Sequence, residues 1–166
     1  MKLEESIAQF FGKEDGVYFS SGVATVSSIT TALLVEDSIA FFPSNAHYGF
    51  KAGIRLNSLG TIKFYDNLDE LEQLITYQSG KKLYSCNFVF AEGMSQNNGE
   101  IVDLPKLIQL KEKHKLILVL EETNALGFIG ARGSIDYWNK KIKNPLLKYS
   151  ISDIDIIMGS LEQAIG

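Results

Sequence analysis

Short apolar runs alternate with amphipathic stretches along this chain, and their periods predict its elements. Leu3, Ile7, Phe10 and Phe11 recur at helical spacing, and Gly12 is placed to end that helix. Val17-Tyr-Phe19 reads as a short strand stopped by Ser20-Ser-Gly22, after which Val23, Val26, Ile29, Ala32 and Leu33 form the stripe of a second helix. Further strands are predicted over 39–42, 62–65, 87–91, 116–120 and 154–158, with a helix over 48–56. Asp66-Asn-Leu-Asp69 caps a helix carrying Leu68, Leu71, Leu74 and Ile75, with acidic residues in its first turn as the helix dipole favours. Pro105 suits the first turn of another helix that runs to His114. The runs at Phe88 and Leu116 are apolar on both faces, as buried parallel strands are, so the prediction is an α/β fold, a three-layer sheet with helices on both faces. The stretch 130–152 reads as the most loop-like, and its Lys140, Lys141 and Lys143 as a solvated face.

Composition narrows the class without naming a function. At 166 residues, 45% hydrophobic and 22% charged, the chain fits one globular domain. A net charge of -4 supplies no basic field for a nucleic acid backbone. Cys86 lies beside Phe88, Val89 and Phe90 and reads as a small buried hydrophobe. No apolar run reaches the ~20 residues of a membrane span, and neither histidine has a partner at metal-ligand spacing, so no metal site is expected.

Ligands of open α/β sheets gather beyond the carboxyl ends of the strands, which selects the segments 20–25, 43–47, 92–99 and 121–124. The amides opening the helix after Ser20-Ser-Gly22 could hold a phosphate, or the glycine could serve only a turn. His47 could stack on a flat cofactor or shuttle a proton, or be a polar helix-start residue. His114, among lysines at a helix end, reads as solvated or as complementing the helix dipole. Glu121 and Glu122 follow the most apolar strand, so a carboxylate reaches the ligand edge, where it can meet a protonated ring nitrogen or simply face solvent.

Taken in order, Leu3-Glu-Glu-Ser-Ile-Ala, Tyr18-Phe-Ser-Ser-Gly, Asp66-Asn-Leu-Asp-Glu-Leu, Glu92-Gly with Gly99-Glu-Ile-Val-Asp-Leu-Pro, Gly127-Phe-Ile-Gly-Ala-Arg-Gly133 and Asp155-Ile-Ile-Met-Gly-Ser resemble the α-oxoamine synthases. These are fold-type I pyridoxal-phosphate enzymes that condense an amino acid with an acyl-CoA and release carbon dioxide. The resemblance implies a fold-type I aminotransferase-like large domain over 1–166, incomplete, without the family's N-terminal membrane segment and C-terminal small domain. It also implies contacts to pyridoxal 5'-phosphate, retained or vestigial, at His47, Gly22, Val23, Glu121, Asn124 and Ser160. The family's Schiff-base lysine falls on Gln163, its ring-nitrogen aspartate on Glu121, the histidine after it on Asn124, the stacking histidine on His47, and a cofactor-touching serine on Gln96.

Only His47 is kept. Gln163 offers no amine, so no catalytic residue is assigned and the cofactor is not expected to be covalently bound by this chain. Glu121 keeps the charge but lengthens the side chain, and Asn124 cannot exchange protons near neutral pH. Several site positions changed together resemble the lysine-less chain of the family's heterodimeric, serine-condensing branch. That likeness implies a lysine-bearing catalytic subunit as partner, serine and a fatty acyl-CoA as substrates of the complex, and the cytosolic face of the endoplasmic reticulum membrane as its place. Two other readings stay open: an active enzyme with a relocated lysine, against which Gln163 stands, and an α/β binding module with no cofactor.

Overall fold

The computed structural model describes residues 3–57 and 59–165. Five strands, β1 Ser38–Pro43, β2 Thr61–Tyr65, β3 Cys86–Glu92, β4 Ile117–Glu121 and β5 Ile156–Met158, form one sheet in the order β2-β1-β3-β4-β5. Every pairing is parallel. The helices are α1 Leu3–Phe11, α2 Gly22–Leu33, α3 Tyr48–Leu56, α4 Leu68–Ser79, α5 Leu104–His114, α6 Ser134–Lys141 and α7 Glu162–Ile165.

Alternate residues of each strand enter different cores, because successive side chains leave opposite faces of a sheet. Ile39, Phe41, Val89, Leu118 and Leu120 meet Leu71 and Ile75 of α4, Leu104 and Leu107 of α5, and Ile135 of α6. Ala40, Phe42, Phe88, Phe90 and Val119 meet Val26 of α2 and Phe50 of α3. The predicted three layers are thus present. On the second face Phe42 stacks on Phe90 with centroids 4.2 Å apart, and Phe50 sets its edge to both rings at 5.8 and 5.7 Å. Helices α2 and α3 cross closely: a Cβ at Gly53 would stand 2.6 Å from the Thr30 Cβ, so only glycine allows this approach.

Local signals set most boundaries. Asn67 accepts the Asp69 and Glu70 amides at the start of α4, and Asp103 accepts the Lys106 amide at the start of α5. Gly12 ends α1 at φ +62°, as its position predicted.

Three expectations are corrected. Val17-Tyr-Phe19 is no strand: it joins none of the sheet's pairings, Val17 and Tyr18 are 74% and 56% exposed, and the Tyr18 amide is satisfied by Glu4 Oε1 at 3.1 Å. The stretch 130–152 is not all loop but contains α6 and two 3-10 turns, Pro145–Leu147 and Ile151–Asp153. Its order comes from afar, since Ile135 is buried in the core and Trp138 Nε1 donates to the Val102 carbonyl at 2.8 Å. Cys86 is partly buried, packed against the second core rather than enclosed by it.

Candidate functional site

The chain leaves β1 toward β2 on one flank and returns through α4 to β3 on the other. The loops that follow β1 and β3 therefore diverge, and the crevice between them is where parallel sheets of this kind take ligands. His47 and Glu92 face each other there.

His47 closes the loop after β1 and caps α3, its Nδ1 accepting the Gly49 amide at 2.8 Å. Its ring tilts against Phe50 with centroids 5.1 Å apart, and its backbone N–H donates to Glu92 Oε1 at 2.8 Å. Burial holds the imidazole below its ordinary value, with the Glu92 charge opposing, so it is mainly neutral at pH 7. The helix-start reading of His47 is thus present in the structure, with the ring placed at the crevice. One nitrogen caps α3 while Nε2 stands 4.0 Å from Glu121 Oε2, too far for a hydrogen bond.

Glu121 ends β4 in register with Glu92 and is fully enclosed. Its Oε1 accepts the Thr123 amide at 2.9 Å, and its Oε2 has no partner among the described residues. Burial pushes this carboxyl up to about 7, against the Thr123 hydrogen bonds and with the Glu92 charge adding to the rise. A buried carboxylate oxygen without a donor among the described residues is uncommon in a folded protein and marks this position as a candidate contact.

Glu122 was not singled out as a site residue, yet it organises this edge. It is 1% exposed, and its carboxyl receives the Ser134 amide at 3.2 and 3.1 Å and the Ser134 hydroxyl at 2.5 Å. It therefore stands in for the N-cap that Gly133 cannot provide to α6. A Cβ on either Gly93 or Gly133 would lie 2.2 Å from Glu122 Oε2, so two glycines make the slot that the carboxyl fills. Burial pushes Glu122 up to about 8, against the Ser134 hydrogen bonds, with the Glu121 and Asp136 charges adding to the rise.

The remaining residues divide between two patches. Gly22 and Val23 open α2 behind the Ser21 cap, and their amides have no partner among the described residues, as the first amides of a helix lack one. A Cβ at Gly22 would stand 3.8 Å from the Ser160 Cβ and 4.0 Å from its hydroxyl, which brings the start of α2 against the turn after β5. The Ser160 hydroxyl accepts the Glu162 amide at 3.2 Å. Gln163 is exposed on α7. Asn124 is half-buried in the turn that Glu122 begins, where the Ala125 amide donates back to the Glu122 carbonyl at 3.0 Å. Gln96 is exposed, but its amide donates to Glu92 Oε2 at 3.1 Å. His114 lies apart at the end of α5, half-buried and 3.8 Å from Glu72 Oε1.

The chemistry of these groups suits parts of pyridoxal 5'-phosphate: free amides at the start of a 12-residue helix suit its phosphate, and the unpartnered Glu121 oxygen 4.0 Å from His47 suits its ring nitrogen.

The chain matches the family aminotransferase class I and II over residues 1–163. It is 31% identical to Serine palmitoyltransferase 2 of Kluyveromyces lactis across 98% of this chain and 29% of that protein. It is 25% identical to Long chain base biosynthesis protein 1b of Oryza sativa across 99% of this chain and 34% of that protein. Its backbone matches the Sphingomonas wittichii serine palmitoyltransferase with a TM-score of 0.80 at 18% identity, covering 98% of this chain and 38% of that one. At that identity the likeness is one of fold.

Proposed function

We infer that this chain, which belongs to the aminotransferase class I and II family, is a non-catalytic subunit of serine palmitoyltransferase. It is the counterpart of that enzyme's lysine-less first long-chain-base subunit, and residues 1–166 form part of its large domain. The complex condenses L-serine with a fatty acyl-CoA in the first step of sphingolipid synthesis. This chain scaffolds the lysine-bearing catalytic partner at the cytosolic face of the endoplasmic reticulum membrane. Among the described residues no helix is long and apolar enough to cross a membrane.

One observation supports the reading: residue 163, just past β5 where the resemblance puts the family's lysine, is an exposed amide. The curated relatives support the enzyme but not the subunit. The relative of higher identity is numbered 2 and the other 1b, so the lysine-less assignment rests on Gln163, Glu121, Asn124 and Gln96.

When bound, pyridoxal 5'-phosphate supplies an aldehyde for an amine and a ring that accepts electrons. Gly22, Val23 and Ser160 would hold its phosphate. Glu121 would meet the ring nitrogen through Oε2, and because its carboxyl is pushed up to about 7, it keeps its proton in a large fraction of molecules near neutral pH. His47, mainly neutral and tied to α3, would lie against the ring and exclude water. Asn124 would offer a hydrogen bond but move no proton. Mixing this chain with its lysine-bearing partner is expected to restore synthase activity that the partner alone lacks. Undiminished activity of the partner by itself would overturn the reading.

A further inference from the structure

Glu92 is a buried carboxylate, 7% exposed, at the end of β3; the sequence places it at the ligand edge but gives it no role. Among the described residues it has no ion pair. One of its oxygens instead reaches across the crevice, and the other holds the loop that follows its own strand. Oε1 accepts the His47 amide, from the loop after β1, at 2.8 Å, and Oε2 accepts the Gln96 amide, from the loop after β3, at 3.1 Å. A second tie joins the same loops, from the Asn97 side-chain amide to the Asn45 carbonyl.

The residue type matters to this arrangement. A carboxylate presents only acceptors, so both oxygens can take a backbone N–H, whereas a glutamine has one acceptor and would turn its own N–H groups toward the other amide. The charge matters as well. The titratable groups around Glu92 are His47, Glu121 beside it in register, and the Tyr65 hydroxyl, which is tied to the Phe90 carbonyl at 2.8 Å.

We propose that Glu92 is the positioning residue of this site: it clasps the two loops that diverge at the switch point of the sheet and so fixes where His47 and the Gln96 backbone stand. Glu92 also opposes the effect of burial on His47, holding its proton affinity up. The proposal rests on the sheet-edge site described above and not on the identity of the complex, so it is tested on this chain without a partner's activity.

The experiment is NMR on the full chain, comparing it with Glu92→Gln, with two readouts. The His47 and Gln96 amides, protected in the unsubstituted protein, are expected to exchange at least about tenfold faster in the variant for one of the two loops, while the core amide of Val89 is unchanged. The His47 imidazole is expected to titrate lower by about half a pH unit or more, since the charge that raises it is gone. A general loss of packing would speed Val89 exchange along with the rest. Unchanged exchange at both loop amides, or an unmoved His47 titration, overturns the proposal. Should Glu92→Gln not fold, the unsubstituted protein decides: His47 and Gln96 amides exchanging as fast as the exposed amide of Asn98 overturn it, and strong protection of both supports it.

Discussion

Replacing Glu122 by glutamine should make the fold less sensitive to rising pH. The carboxyl has an ordinary value of 4.5 and is pushed up to about 8 in the slot between Gly93 and Gly133. Below pH 4.5 it is protonated whether the chain is folded or not, and there is no penalty. Between pH 4.5 and 8 the unfolded chain releases the proton and the folded chain keeps it. The unfolded state then binds fewer protons, and stability falls by up to about 1.4 kcal/mol per pH unit. The accumulated cost is about 3 kcal/mol at pH 7 and levels off near about 5 kcal/mol above pH 8. Glutamine has no such proton. Its carbonyl can accept the Ser134 amide and its N–H can donate to the Ser134 hydroxyl, so the clasp on α6 survives. Urea unfolding at pH 5.5 to 8.5, followed by the fluorescence of Trp138 in α6, reads the difference. The unsubstituted chain should lose stability across that range, and the variant should lose the Glu122 share of that fall and keep the share that Glu121 contributes up to about pH 7, which the lowered His47 opposes below pH 6.5. Parallel pH profiles for the two proteins would refute the claim that Glu122 is held as a neutral acid.

The same slot makes both glycines sensitive. Gly133→Ala should destabilise by about 2–5 kcal/mol in thermal unfolding, because a new Cβ meets Glu122 and the backbone sits at φ +74°. Gly93→Ala meets the same carboxyl without that positive φ and should cost about 1–3 kcal/mol less. On the other face Phe90→Ala should cost about 3–5 kcal/mol, since it removes the ring stacked on Phe42 and the one that Phe50 packs against.

The sheet was legible where chain-local chemistry decides structure. Phe41-Phe42 and Phe88-Val-Phe90 are apolar at successive positions, and only a strand covered on both faces uses both sets. Asn67 and Asp103 announce helices because a cap bonds within its own turn. Helix α6 was hidden because its capping carboxyl, Glu122, lies 12 residues upstream of the amide it holds. Val17-Tyr-Phe19 misled because three strand-favouring residues make no ladder without a neighbour.

The site was legible in part for the same reason. Glu121 and His47 lie at strand ends that the parallel topology selects, and they do meet there, 4.0 Å apart. Glu92 was missed because one of its partners is 45 residues away. No spacing in the sequence records that bond. The proximity of Gly22 to Ser160 likewise depends on where β5 ends rather than on either local segment.

If this chain supplies shape and contacts to a site whose amine belongs to another subunit, the cofactor is fixed on that subunit alone. Borohydride reduction of the complex loaded with pyridoxal 5'-phosphate, followed by peptide mapping, reads this out. The fixed pyridoxyl group is expected on a lysine of the partner and none on this chain. A pyridoxyl-lysine in any peptide of this chain, formed at the stoichiometry of the cofactor, would contradict it.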